Sequence, residues 1–241
     1  MFPFAVEVMN RPMEWTGVER PVSVAAGSVT LEGNLGLPEA ARGVVLFAHG
    51  SGSSRHSPRN RYVARLLNEA KLATLLIDLL TSDEEASDMQ TAHLRFDIDL
   101  LAERLVAATD WLTQYQDTRH LRIGYFGAST GAGAALVSAA ERPRAVGAVV
   151  SRGGRPDLAG PALARVRAPT LLIVGGTDFA VIELNRAALG QLRCEKQLVI
   201  VPGASHLFEE PGALDEVARL ARDWFDRHLV PVTHVPSRDA T

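Results

Sequence analysis

From Val44 onward, short apolar runs rich in β-branched residues alternate with stretches of helical length. That alternation restricts the chain to a mainly parallel sheet covered by helices on both faces, because parallel neighbours need a long crossover and a helix fills it. The pattern predicts strands over 44–48, 73–78, 122–126, 145–151, 170–174 and 197–201. Helices are expected over 60–70, 91–115, 131–141, 180–192 and 213–228. Ahead of them, the segments 21–26 and 28–35 alternate about Gly27 and read as a hairpin on one sheet edge, which brings the count to about eight strands.

A chain of 241 residues, 46% of them hydrophobic, can bury one large core, so a single domain over 1–241 is expected, with its core over about 22–229 and a tail over 231–241. No internal repeat or domain-sized insertion interrupts the strands, which leaves room for little or no cap. The single cysteine, Cys194, excludes an internal disulfide and a cysteine-rich metal site. The segment Met1 to Glu7 carries no basic residue ahead of its apolar stretch, so it does not read as a secretory signal, and a cytoplasmic location is expected. A net charge of −3 offers no general attraction to nucleic acid, and no uncharged run is long enough to cross a bilayer. The expected partner is a small molecule, the expected state a monomer or homodimer.

Within this framework, Gly127-Ala128-Ser129-Thr130-Gly131 follows an expected strand and opens an expected helix. A serine at such a turn sits on strained backbone with its hydroxyl exposed, and the flanking glycines let helix and strand approach. A serine hydroxyl needs a base, and the base needs an acid to orient it. In open α/β sheets both are sought just past the carboxyl ends of strands. Gly175-Gly176-Thr177-Asp178 follows one late strand, and Pro202-Gly203-Ala204-Ser205-His206 follows the next. The remaining histidines lack that context. Asp157, in the loop after the strand ending at Ser151, competes for the role of acid.

The order Ser129, Asp178, His206 is that of the α/β-hydrolase superfamily, which the chain resembles from about Val22 to Leu229. The resemblance is nearer to its small dienelactone-hydrolase-like branch. It implies a single-domain α/β-hydrolase fold with a serine nucleophile, a histidine base and Asp178 fixing the imidazole tautomer. It implies neither metal nor organic cofactor. After the strand ending at Ala48, the turn His49-Gly50-Ser51-Gly52 can aim backbone N–H groups at an oxyanion, and by the same resemblance the donors are the main-chain N–H groups of Ser51 and Thr130, whatever their side chains. Dienelactone hydrolases use a cysteine where this chain has Ser129. A serine suits ordinary oxygen esters, so the expected activity is that of a carboxylesterase acting through an acyl-serine intermediate. A thioesterase or another acyl hydrolase would use the same triad, and a non-catalytic anion-binding protein would keep only the fold.

Arg55, His56 and Arg152 lie in loops that open on the catalytic edge and are the first choices for binding an anionic ester. Four acids over 82–88 follow another strand and offer the alternative, a neutralised rim that suits neutral short-chain esters. Phe179, just after Asp178, and Phe208, just after His206, are candidate walls of an acyl pocket.

Overall fold

The computed structural model describes residues 18–230. The expected tail over 231–241 and the segment Met1 to Glu7 lie outside those residues. The described chain forms an eight-stranded sheet with helices on both faces, as the alternation of apolar runs predicts.

The strands are β1 Val18–Ala26, β2 Val29–Leu37, β3 Gly43–Ala48, β4 Leu72–Ile77, β5 Ile123–Ala128, β6 Val146–Arg152, β7 Thr170–Gly175 and β8 Lys196–Val201. In space they run β1-β2-β4-β3-β5-β6-β7-β8. The β1/β2 hairpin joins β4 antiparallel, and every later pairing is parallel. Strands β3, β4, β5 and β7 are buried along their whole length, the mark of a sheet covered on both sides.

The helices are α1 Pro58–Glu69, α2 Ser82–Thr91, α3 Ile98–Gln114, α4 Thr130–Glu141, α5 Phe179–Gln191 and α6 Ala213–Leu229. Alternation along the strands divides the core. Val44, Leu46, Tyr125, Val149 and Leu172 pack on the side of α3 and α4. Val45, Phe47, Phe126, Val150 and Ile173 pack on the side of α1 and α6.

The structure corrects the helix expected over 91–115. The chain instead makes α2, a 3-10 turn over Leu94–Phe96, and α3. Thr81 and Glu84 form a capping box that starts α2, Ala92 ends it in the left-handed conformation, and the Asp97 carboxylate accepts the Leu100 N–H to start α3. The acids over 82–88 therefore belong to a helix. A kinked 3-10 stretch, Pro156–Arg165, was not anticipated; it packs between α4 and α5.

Candidate active site

The β5–α4 turn holds Ser129 at φ 50 and ψ −124, a region that residues with a side chain rarely occupy. Its neighbours explain the two glycines. A Cβ on Gly131 would lie 2.3 Å from the Ala48 carbonyl oxygen, and one on Gly127 would lie 2.5 Å from the Ala132 Cα. The elbow is tied to the neighbouring strand as well: the Ser129 N–H donates to the Arg152 carbonyl at 3.3 Å, and the Arg155 N–H donates to the Ser129 carbonyl at 3.0 Å.

Asp178 and His206 come together at the ends of β7 and β8. The loops that carry them are stitched by Thr177, whose N–H and hydroxyl both donate to the Ala204 carbonyl, at 3.0 and 2.9 Å. Gly175 is needed there, since a Cβ would lie 2.4 Å from the Ser205 carbonyl oxygen. His206 Nδ1 is 2.6 Å from Asp178 Oδ2. The carboxylate is 15% exposed and the imidazole 40%, so the pair is sheltered on one side and open on the other. No hydrogen bond joins Ser129 to His206 among the described residues, a contact that in hydrolases tightens when substrate arrives. Gly153 abuts the imidazole: a Cβ there would lie 3.6 Å from His206 Cε1.

Asp157, the rival acid, is taken up elsewhere. Both of its oxygens accept from the Arg155 guanidinium, at 2.9 and 2.7 Å.

The turn after β3 is braced by His49. Its Nε2 accepts the Leu79 N–H at 3.0 Å, so the ring proton sits on Nδ1 and donates to the Gly50 carbonyl at 3.0 Å. Burial pushes this imidazole below the usual histidine range. The brace sets the path of Ser51, whose N–H donates to the Thr130 hydroxyl at 2.9 Å. The expectation that side-chain identity at position 130 is immaterial is thus corrected: the Thr130 hydroxyl connects the two N–H groups expected to bind an oxyanion.

Beside this turn lies a cavity of about 220 Å³ lined by Ser51, Gly52, Leu80, Met89, Arg95 and Leu101, among others. Met89 and Arg95 carry no sequence signal for this position, because only α2 and the 3-10 turn bring them to the turn after β3. Arg95 is anchored on the buried Asp88, Nε to Oδ2 at 2.5 Å.

The structure separates the rim residues. Arg55 is paired with Asp78 and with Glu32, the latter at 2.6 Å, so its charge is met, but by acids outside 82–88. Within that segment Asp88 pairs with Arg95 and Glu84 with Arg104, so these two acids are engaged away from Arg55 and Arg152. His56 is exposed, with its N–H bonded to Ser54. Phe179 is exposed at the start of α5, whereas Phe208 is buried in the core between the sheet and α6 at φ 57, so it packs the histidine loop and is no acyl wall. Arg152 is buried against the first turn of α1, with one nitrogen 3.4 Å from Asn60 Oδ1. Burial and then the like charge of Arg59 lower its pKa to about 10. Among the described residues no cluster of three or more His, Cys, Asp or Glu side chains could hold a metal, and no helix is long and apolar enough to cross a membrane.

Comparison with known proteins agrees with the fold. The sequence pattern of the Dienelactone hydrolase family matches residues 31–230. A dienelactone hydrolase from Anabaena variabilis is 68% identical, with the match covering 88% of this chain and 99% of that one at a TM-score of 0.87. Est1E from Butyrivibrio proteoclasticus shares the fold at 16% identity and a TM-score of 0.70, over 86% of this chain and 98% of that one. Proteins of Mycobacterium tuberculosis named as phosphoribosyl transferases are 59% identical over 211 residues, which is 88% of this chain and 47% of theirs. The chain thus spans about half the length of these relatives.

Proposed function

The chain belongs to the dienelactone hydrolase family, and on that premise we propose that it is a serine hydrolase cleaving small carboxylic esters through an acyl intermediate on Ser129. The observation that carries this reading is a serine held at φ 50 on the β5–α4 turn, with the His206–Asp178 pair at the neighbouring strand ends.

In this mechanism the Ser129 hydroxyl attacks the ester carbonyl carbon while His206 Nε2 takes its proton. Asp178, hydrogen-bonded to Nδ1, holds the tautomer that leaves Nε2 free to accept, and stabilises the imidazolium that forms. The tetrahedral oxyanion is met by the Thr130 N–H and by the Ser51 N–H, which turns to it from the Thr130 hydroxyl, in a turn braced by His49. His206 returns the proton to the departing alkoxide. Water, deprotonated by the same imidazole, then releases the acid from Ser129. The cavity beside Ser51 and Gly52 is lined by Leu80, Met89 and Leu101 and also by Asp78, Glu85, Asp88 and Arg95, and it is a recess next to the turn that carries Ser51.

One feature favours simple acyclic esters over the family's namesake lactones: Ser129 stands where those enzymes carry cysteine. The transferase name of the mycobacterial relatives belongs to proteins about twice as long as the match. Ser129→Ala is expected to abolish hydrolysis of 4-nitrophenyl acetate with the fold retained. A fluorophosphonate probe is expected to label the wild-type chain stoichiometrically at Ser129. Unchanged turnover in the variant, or no labelling of the wild type, overturns the reading.

A further inference from the structure

Strand alternation sets the direction of Arg152. Ala148 and Val150 pack in the core on the side of α1 and α6, and Arg152 continues the same phase at the carboxyl end of β6. Its side chain accordingly runs under the first turn of α1, where one guanidinium nitrogen is 3.4 Å from Asn60 Oδ1. Only 7% of the residue is exposed. Among the described residues no carboxylate pairs with it, and its Nε has no hydrogen-bond partner.

This contrasts with the arginines nearby. Arg55 is paired with Asp78 and Glu32, Arg95 with Asp88, and Arg155 with Asp157. The group that bears on Arg152 instead is Arg59, a second cation, from the same turn of α1. Among the described residues Arg59 also has a buried Nε without a partner, and the carboxylate it reaches, Glu209 at 3.2 Å, is 64% exposed. A buried guanidinium facing a like charge is unfavourable unless an anion joins them. The N-terminus of a twelve-residue helix adds a positive potential at the same point. The location is next to the chemistry: the Arg152 carbonyl accepts the Ser129 N–H, and the following residue, Gly153, abuts His206.

We infer that Arg152, Arg59 and Asn60 form a subsite for an oxyanionic group, a carboxylate or a phosphate, carried by the ester substrate. The guanidinium fork of Arg152 supplies paired donors to two oxygens, Arg59 supplies a further charge from the open side, and the Asn60 carboxamide fixes the fork. The inference rests on the serine-hydrolase reading for its substrate and on side-chain geometry alone for its anion.

The test uses the full chain. Binding of inorganic phosphate and of glutarate is measured by titration calorimetry at constant ionic strength, for the wild type, Arg152→Gln and Arg59→Gln. Each anion is then added to wild-type hydrolysis of 4-nitrophenyl acetate. At least one anion is expected to bind and to raise KM competitively, and the tighter of the two identifies the group as phosphate or carboxylate. Each substitution is expected to weaken binding about ten-fold or more, and Arg152→Lys to retain part of it. If Arg152→Gln fails to fold, Arg59→Gln, on the helix surface, carries the same comparison. Absence of binding in the wild type, wild-type affinity in the folded variants, or binding that leaves KM unchanged overturns the inference. A wild type that hydrolyses neutral esters without binding either anion refutes the subsite alone. One that binds an anion but hydrolyses no ester refutes the serine-hydrolase reading and leaves the anion site standing.

Discussion

The strain at Ser129 is held in place by backbone on every side, which is why single atoms matter there. A methyl group on Gly131 would meet the carbonyl oxygens of Ala48 and His49 at 2.3 and 2.4 Å, and main-chain atoms cannot swing aside as a side chain can. Gly131→Ala is therefore expected to destabilise the protein by roughly 3 kcal/mol, seen as a fall in Tm of several degrees. Because the displaced backbone is the turn that carries Ser51, kcat should fall with it. A folded variant with wild-type Tm would show that α4 can slide away from β3 without cost. Asp178 makes a different kind of contribution. Asp178→Asn keeps the shape and loses the acceptor that fixes Nδ1–H, so kcat for 4-nitrophenyl acetate should drop by about 10⁴-fold with little change in Tm. A drop of less than ten-fold would point to another acid.

Between elements, a buried hydroxyl cluster joins β5 to the helices above it. Tyr125 is fully buried, and its hydroxyl meets Thr109 on α3 and Ser138 on α4, the latter at 2.9 Å. Burial pushes its pKa up to about 12, so it stays neutral. Tyr125→Phe is expected to cost about 1 kcal/mol in urea unfolding, because Thr109 keeps the Leu105 carbonyl as a partner while Ser138 loses a contact. The elements themselves were legible to different degrees. Strands β3, β5 and β7 stood out as apolar runs because both faces of each are buried. Strand β5 runs two residues past its expected end, since Gly127 and Ala128 carry no side-chain signal although they pair with Ser151 and Arg152. The long helix expected over 91–115 failed because apolar spacing outweighed Thr81, Glu84 and Asp97, whose capping roles are local polar signals. At the site, the positions of Ser129, Asp178 and His206 at strand ends were legible from the strand pattern together with the glycine-rich turns that follow each strand. The fate of the arginines was not: Arg55 finds Asp78 and Glu32, each 23 positions away, and Arg152 finds no acid among the described residues, which only folding decides.

For the whole molecule, the histidine that braces the turn after β3 links stability to pH. His49 bridges β3 to the segment after β4 as a neutral ring, accepting from Leu79 and donating to Gly50. Protonation would remove the acceptor and place a charge in a buried site, so the folded-state pKa lies below the 6.5 of a free histidine. The sign follows from proton counting. Below that value the unfolded chain takes up a proton that the native chain refuses, and stability falls as pH falls, until the native pKa is reached. The slope from one such histidine is at most about 1.4 kcal/mol per pH unit. His228, whose pKa burial also lowers, acts in the same direction. Urea unfolding of the wild type between about pH 5 and 8 is therefore expected to give a plateau at the neutral end and a decline below about 6.5. His49→Gln keeps an acceptor for Leu79 but cannot titrate, so it should be less stable at neutral pH and decline less steeply in acid. Parallel curves for the two proteins would mean that His49 is protonated in the native state, and that the Leu79 N–H is held by something other than the imidazole.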